Sequence, residues 1–239
     1  MNQTTPTARH LGPALSDLRN QLEVRLRRCA RLVEKGVIIT DAATTYVDEE
    51  AEVGGGTRIE PNTTILGRTK IAADCVIGPN TVLRESVVGD SCHILASIVE
   101  ESELEAGVAI GPFSHLRPGS HIEAGAHIGN FAEIKNSRIG QNTKVGHFSY
   151  IGDARIGRDV NIGAGAITCN YDGEAKHETI IQDGAFIGSD TMLVAPVQVG
   201  AGARTGAGAV VTKDVPAGAL VVGMPARRTP QAKSRRRLG

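Results

Sequence analysis

The stretch IGPFSHLRPGSHIEAGAHIGNFAEIKNSRIG, residues 110–140, carries aliphatic side chains at Ile110, Leu116, Ile122, Ile128 and Ile134, always six apart. A helix repeats near 3.6 residues and a half-buried strand repeats at every second one, so a sustained period of six belongs to neither. It marks a solenoid wound from hexapeptides. Working outward, the series runs back through Leu104, Val99, Ile94, Val88 and Leu83 to Val47. It runs forward through Ile139, Val145, Ile151, Ile156 and Ile162 and, after an interruption, through Ile181, Ile187, Leu193 and Val199 to Val211. Glycine often follows the aliphatic residue, as in Ile-Gly at 77, 110, 128, 139, 151, 156, 162 and 187. In a triangular coil the aliphatic side chain points into the prism and a small residue lets the chain turn the corner. Three hexads make one coil, and coils stack at the inter-strand spacing of about 4.8 Å, which gives about nine coils here. The expected fold class is therefore all-β, a parallel β-helix. Five-residue steps occur at 134–139 and 151–156, and one long interruption at 168–180 ejects the loop TCNYDGEAKHETI.

The composition suits such a prism and narrows the function. Aromatic residues make up 3% of the chain, tryptophan is absent and glycine numbers 29, so the core is built from stacked aliphatics. Lysine plus arginine equals aspartate plus glutamate at 26 each, so no global field marks a nucleic-acid or acidic-membrane binder, and any phosphate recognition is local. No apolar run approaches the length of a membrane span and the polar start MNQTTPTARH has no signal segment, which predicts a cytoplasmic protein. Cys29, Cys75, Cys92 and Cys169 are scattered without a CxxC pair and are read as reduced thiols.

Before the repeats, Leu15, Leu18, Leu22, Leu26, Cys29 and Val33 fall three or four apart, with Pro13 suited to a first turn and Gly36 to a stop. This predicts one amphipathic helix over 13–36 after a disordered start at 1–12, followed by the β-helix domain at 37–224 and a basic tail at 225–239. The helix arginines, among them Arg19, Arg25, Arg27, Arg28 and Arg31, read as a solvated face supported by Glu23 to Arg27. The run GGGTR at 54–58 is framed by Val53 and Ile59 as an ordinary hexad.

Arg117 and Lys135 each follow a prism residue and lie one coil apart, so they stack on one face, either as solvated cations or as a clamp for a phosphate. His147 shares a column with Asn130 below and Ala164 above, and an imidazole suits deprotonation of an amine near neutrality. Glu133 is placed to hold the other imidazole nitrogen. His115, His121 and His127 are six apart and so lie on successive faces, diverging instead of converging on one ion; no metal is expected.

The strings at 110–140, KVGHFSYIGDARIGRDVNIGAGAITCNYDG at 144–173 and IGSDTMLVAPVQVG at 187–200 closely resemble the acetyltransferase half of the bifunctional N-acetylglucosamine-1-phosphate uridyltransferase/glucosamine-1-phosphate acetyltransferase family (GlmU). The likeness runs from the helix near residue 13 to about residue 220, and no glycine-rich nucleotidyltransferase start precedes it. The resemblance implies a left-handed β-helix that moves an acetyl group from acetyl-CoA, as co-substrate, to the amine of glucosamine 1-phosphate. The product would feed UDP-N-acetylglucosamine and cell-wall precursor synthesis. It implies that His147 is the general base, and that Arg117 and Lys135 hold the sugar phosphate. Tyr150 and Asn161, read as corner residues, would bind the amino sugar, and Lys176 would reach the phosphate from a neighbouring subunit. Asn170 and Tyr171 then meet the acetyl and pantetheine end of CoA. The Ala164 N–H serves as oxyanion donor, and Ser189 and Ala207 continue the CoA groove. A homotrimer is implied, since such prisms build the groove between neighbours. The family's CoA-contacting arginine aligns with Met224, a departure for which Arg227 or Arg228 would substitute, and the basic tail QAKSRRRLG offers further cations. An acyltransferase for another amino sugar and a non-catalytic trimeric scaffold remain as alternatives. The clamp disfavours acceptors without a phosphate, and the presence of His147, Tyr150, Asn161 and NYDG disfavours the scaffold.

Overall fold

The computed structural model describes residues 11–223. A single helix, α1 (Leu11–Glu34), precedes a left-handed parallel β-helix of two- to four-residue strands. Three parallel sheets of 11, 10 and 9 strands form the faces of the prism, about ten coils rather than nine. Pairing is in register: Ile110 opposes Ile128, Leu116 opposes Ile134, and Ile122 opposes Ile139. The aliphatic column is buried, with Leu116, Ile122, Ile128, Ile134, Ile139, Val145 and Ile151 all at 0% exposure. Fully burying each such side chain is worth roughly 1.5–3 kcal/mol, and stacking the coils repeats that gain along the axis.

A second inward column, two residues before the aliphatic one, holds small polar residues. Ser114, Ser120, Ser137, Thr143 and Ser149 are buried, and their hydroxyls bond backbone carbonyls at the corners. Ser137 Oγ, for example, donates to Lys135 O at 2.7 Å and accepts the Ala154 N–H at 3.0 Å. Such bonds satisfy corner groups that the strand ladders leave unpaired.

Helix α1 starts at Leu11, two residues before the expected boundary, and ends in the expected manner. Gly36 takes a positive φ of 87°, and the Val37 N–H bonds Leu32 O at 3.1 Å, a Schellman arrangement that leaves Leu32 and Val37 buried. Only the last turns pack on the first coil. Leu15, Leu18, Leu22, Leu26 and Val33 stay exposed, because a 24-residue helix, about 36 Å long, outreaches the end of the prism. The arginines are not all a solvated face. Glu23 pairs with Arg27 at 2.8 Å, but Arg25 stacks on Tyr46 at 4.6 Å and Arg28 is buried, donating to Ala51 O. The tail at 225–239 and Met224 lie outside the described residues, as do the first ten. No described helix is long and apolar enough to cross a membrane.

Candidate active site

Two neighbouring faces and the ejected loop bring most of the named residues together. On the ten-strand face, Arg117 and Lys135 follow the opposed pair Leu116 and Ile134, and the Arg117 N–H donates to Ile134 O at 2.8 Å, so the two cations are stacked neighbours. The coil above carries Gly152 opposite Lys135. A methyl group there would stand 2.5 Å from Tyr150 Oη and 2.8 Å from Asn170 Nδ2. The missing side chain is thus what lets the Tyr150 phenol lie along the strand toward Lys135. Tyr150 opens the strand Tyr150–Gly152 and Asn161 the strand Asn161–Ile162, so both stand on faces and not at corners. Asn161 opposes Lys144 on the eleven-strand face, three positions from the His147 column and on a different face from Arg117 and Lys135.

Lys176 joins the clamp from its own chain. The Lys176 ammonium, with Arg117 behind it, pushes the Lys135 ammonium below the usual lysine range. Within one chain the loop thus folds back toward the face from which it leaves. Within the loop, Tyr171 and Lys176 form an antiparallel bridge. Asp172 accepts the Ala175 and Glu174 N–H groups, each at 2.8 Å, and the His177 ring at 2.6 Å. These three donors hold the Asp172 carboxyl well below the ordinary carboxylate range. The exposed Tyr171 hydroxyl donates to Gly173 O.

Glu133 requires a correction. It does not touch His147; its carboxylate accepts from Arg117 Nη1 at 2.8 Å, and that bond with its charge raises the Arg117 pKa. Glu133 opens the strand Glu133–Lys135 directly opposite Tyr150, and its side chain leans down the face toward Arg117, not across the corner. The partner of His147 is Asn130, whose Oδ1 bonds the imidazole Nδ1. With the amide oxygen accepting, Nδ1 is the donor, and in the neutral ring the lone pair is then on Nε2.

Above His147 the column continues through Ala164, Ser189 and Ala207. The Gly165 N–H bonds His147 O, the Asp190 N–H bonds Ala164 O and the Gly208 N–H bonds Ser189 O, at 3.1, 2.7 and 2.8 Å. The expected groove residues therefore share one corner with the expected base. The N–H groups of Gly163 and Gly165 are both taken, by Ile187 O and His147 O, whereas no described residue accepts from the Ala164 N–H. Asn170 is buried, and one of its two Nδ2 donors is committed to Asp153.

The three histidines six apart do diverge, each on a different sheet, and His115 and His121 bond Glu100 and Glu105 at 2.9 Å. Among the described residues, no group of three or more His, Cys, Asp or Glu is arranged to hold a metal ion. Sequence reasoning passed over Asp153, Gly152 and Asp172, and gave Asn130 no role. The signal for Gly152 was its register with Lys135.

The profile described as "Bacterial transferase hexapeptide (six repeats)" matches residues 50–85, 136–170 and 178–213. Its matched segments stop at 170 and resume at 178, so they skip the ejected loop. Bifunctional protein GlmU of Carboxydothermus hydrogenoformans is 50% identical over 196 residues, covering 82% of this chain and 44% of the relative. GlmU of Heliobacterium modesticaldum is 50% identical over 208 residues, covering 87% of this chain and 45% of the relative. The chain belongs to the GlmU family. It spans less than half the length of the GlmU relatives it matches. LpxA from Acinetobacter baumannii shares the fold at a TM-score of 0.53 and 15% identity, covering 79% of this chain and 72% of that one. The likeness to GlmU thus rests on sequence, and the one to LpxA on the shape of the prism.

Proposed function

We propose that this chain is a glucosamine-1-phosphate N-acetyltransferase that uses acetyl-CoA as co-substrate. The observation that carries the reading is the convergence of Arg117, Lys135 and Lys176 beside Tyr150, next to a corner where His147, bonded to Asn130 through Nδ1, has Nε2 uncommitted. Lys176 and Arg117 disfavour the charge on Lys135, a cost that a bound dianion relieves, so the cluster fits a phosphate monoester better than a neutral sugar. Glu133 holds Arg117 charged and aimed, and Lys135 and Lys176 act as point charges beside it.

The chemistry follows from these positions. The sugar, gripped by its phosphate and by Tyr150, presents its amine toward the His147 corner. Nε2 takes the ammonium proton and the freed lone pair attacks the thioester carbonyl, forming the C–N bond. Negative charge collects on the carbonyl oxygen, where the Ala164 N–H stands with no competing acceptor. Collapse breaks the C–S bond, the imidazolium returns its proton to the departing CoA thiolate, and the second proton of the new amide nitrogen leaves to solvent. Ser189 and Ala207, in the same column, would line the path of the pantetheine arm. Asn161, remote from the clamp, would contact the sugar only from the far side of the corner.

The proposal includes a homotrimer. Phe113, Phe131 and Phe148 stack with ring centroids 5.4 and 5.1 Å apart and lie exposed immediately after Pro112, Asn130 and His147. Such an apolar ladder beside the base fits a surface that a neighbouring copy covers. The test of the activity is thiol release from acetyl-CoA with a panel of amino sugars, each with and without the 1-phosphate. Release should be strongest with glucosamine 1-phosphate. Equal rates with and without the phosphate would refute the acceptor, and no release with any sugar would refute the enzyme.

A further inference from the structure

Asp153 stands on the corner that separates the clamp from the ejected loop, and every polar group it has is used. Its N–H donates to Lys135 O at 3.1 Å, and its carbonyl accepts the Thr179 N–H, also at 3.1 Å. One carboxylate oxygen accepts from Asn136 Nδ2 at 2.6 Å, and the other accepts from Asn170 Nδ2. Asn136 directly follows Lys135, Asn170 is where the chain leaves the prism, and Thr179 is where it returns. A single residue therefore ties both feet of the loop to the coil that carries Lys135.

The conformation that permits this is special. Asp153 lies at φ 49° and Asn136 at φ 44°, in the left-handed region, where the short side chains of aspartate and asparagine are better tolerated than most. Two residues share that corner in successive coils, and the amide of Asn170 comes down from above to complete an amide–carboxylate–amide ladder. Glutamate, one methylene longer, would push its carboxylate past both amides. Neutral asparagine would keep one acceptor and turn an NH2 group toward another NH2.

We infer that Asp153 is a positioning residue for phosphate recognition, tethering the loop so that Lys176 completes the clamp with Arg117 and Lys135. This rests on the reading that the clamp holds the sugar phosphate. Its action is indirect: Asp153 touches no substrate, and its effect passes through Lys176. Loss of the tether lets the loop swing on its two feet, which weakens the phosphate grip and leaves the imidazole, the Asn130 bond and the thioester corner in place.

The experiment is a double-mutant cycle on Asp153 and Lys176, with Asp153→Asn and Asp153→Ala each made alone and together with Lys176→Ala. Steady-state thiol release gives the KM for glucosamine 1-phosphate, the KM for acetyl-CoA and kcat, and thermal melting checks folding. Each single variant should raise the sugar-phosphate KM by about tenfold, the scale of one lost charge-assisted bond, with a much smaller change in the acetyl-CoA KM. In the Lys176→Ala background the Asp153 substitutions should add less than about twofold, because the residue they position is gone. Additive effects, or an equal rise in both KM values, would overturn the positioning role. So would unchanged constants in Asp153→Asn and Asp153→Ala while Lys176→Ala raises the sugar-phosphate KM. If Lys135→Ala and Lys176→Ala both leave that KM unchanged, it is the clamp reading itself that fails. Asp153→Asn keeps the proposal testable should Asp153→Ala melt early, since asparagine tolerates the same φ.

Discussion

Replacing Asn130 tests whether the imidazole of His147 works as the base through its Nε2. Asn130 Oδ1 is the acceptor that fixes the proton on Nδ1. A neutral hydrogen bond at a half-exposed position contributes about 0.5–1.5 kcal/mol net, so Asn130→Ala should lower kcat by roughly two- to tenfold through loss of the correct tautomer and ring orientation. Asn130→Asp puts a carboxylate on the same nitrogen. A charge-assisted bond exceeds a neutral one by about 1–1.5 kcal/mol and favours the imidazolium, so the ionisation that limits the rate should move up by about one pH unit relative to wild type. The sign follows: the raised pKa keeps the base protonated to higher pH, so the variant loses rate on the acid side and recovers it on the alkaline side. His147→Ala should lower kcat by about a hundredfold to ten-thousandfold and abolish that ionisation altogether. The assay is thiol release at saturating acetyl-CoA and glucosamine 1-phosphate from pH 5.5 to 9. If Asn130→Asp leaves the pH profile where it was, or His147→Ala retains the ionisation, the Nε2 mechanism is wrong.

Glu133→Gln should raise the sugar-phosphate KM by loosening Arg117 while leaving the pH profile of kcat in place; a shifted profile would restore Glu133 as the imidazole's partner. Gly152→Ala should displace the Tyr150 phenol and Asn170 amide from its Cβ, raising the sugar-phosphate KM in a protein whose melting temperature is nearly unchanged. A kinetically silent alanine would show that the phenol is not needed where it lies. Asp172 has a depressed pKa, so the order it lends the loop is complete above the usual aspartate range near about 4 and is lost only as pH falls through its own lower value. Amide exchange at Glu174 and Ala175 should therefore stay slow relative to Asp172→Ala down to about pH 4, and equal exchange at neutral pH would refute the role of the carboxylate. Leu116→Ala, at a fully buried position, should cost about 2–5 kcal/mol in denaturant unfolding.

The prism was readable because one physical constraint, a single inward aliphatic position per face, recurs at fixed intervals along the chain. Ile110 to Ile134 announces it, and the five-residue step at 134–139 is visible as a phase slip that the structure converts into the 17-residue register of His121 with Arg138. The corner hydroxyls were not read, since serine and threonine at a turn look the same from sequence whether they face water or a buried carbonyl. The columns of the site followed from register alone, which is why His147, Ala164, Ser189 and Ala207 share one corner. Errors arose where a side chain chose between two neighbours at similar range. Glu133 reached down its own face to Arg117, and Asn130, already in the column, took the imidazole. Asp153 escaped because an aspartate at a left-handed corner reads as turn chemistry and the loop beyond it has no repeat to set its phase.

Helix α1 sits at the end of the prism where stacking would otherwise continue without limit. In-register coils terminate in strand edges whose N–H and C=O groups face along the axis, a growth front onto which another prism could add. Cys29 and Leu32 pave that end with a buried apolar floor, and Arg28 occupies the carbonyl of Ala51, just before the edge strand Glu52–Val53 of the nine-strand sheet. The helix is thus a chain terminator for the solenoid in the polymer sense: it consumes an acceptor and blocks the axial contact that head-to-tail filament assembly requires. The flanks that carry the stacked phenylalanines are left uncovered by it.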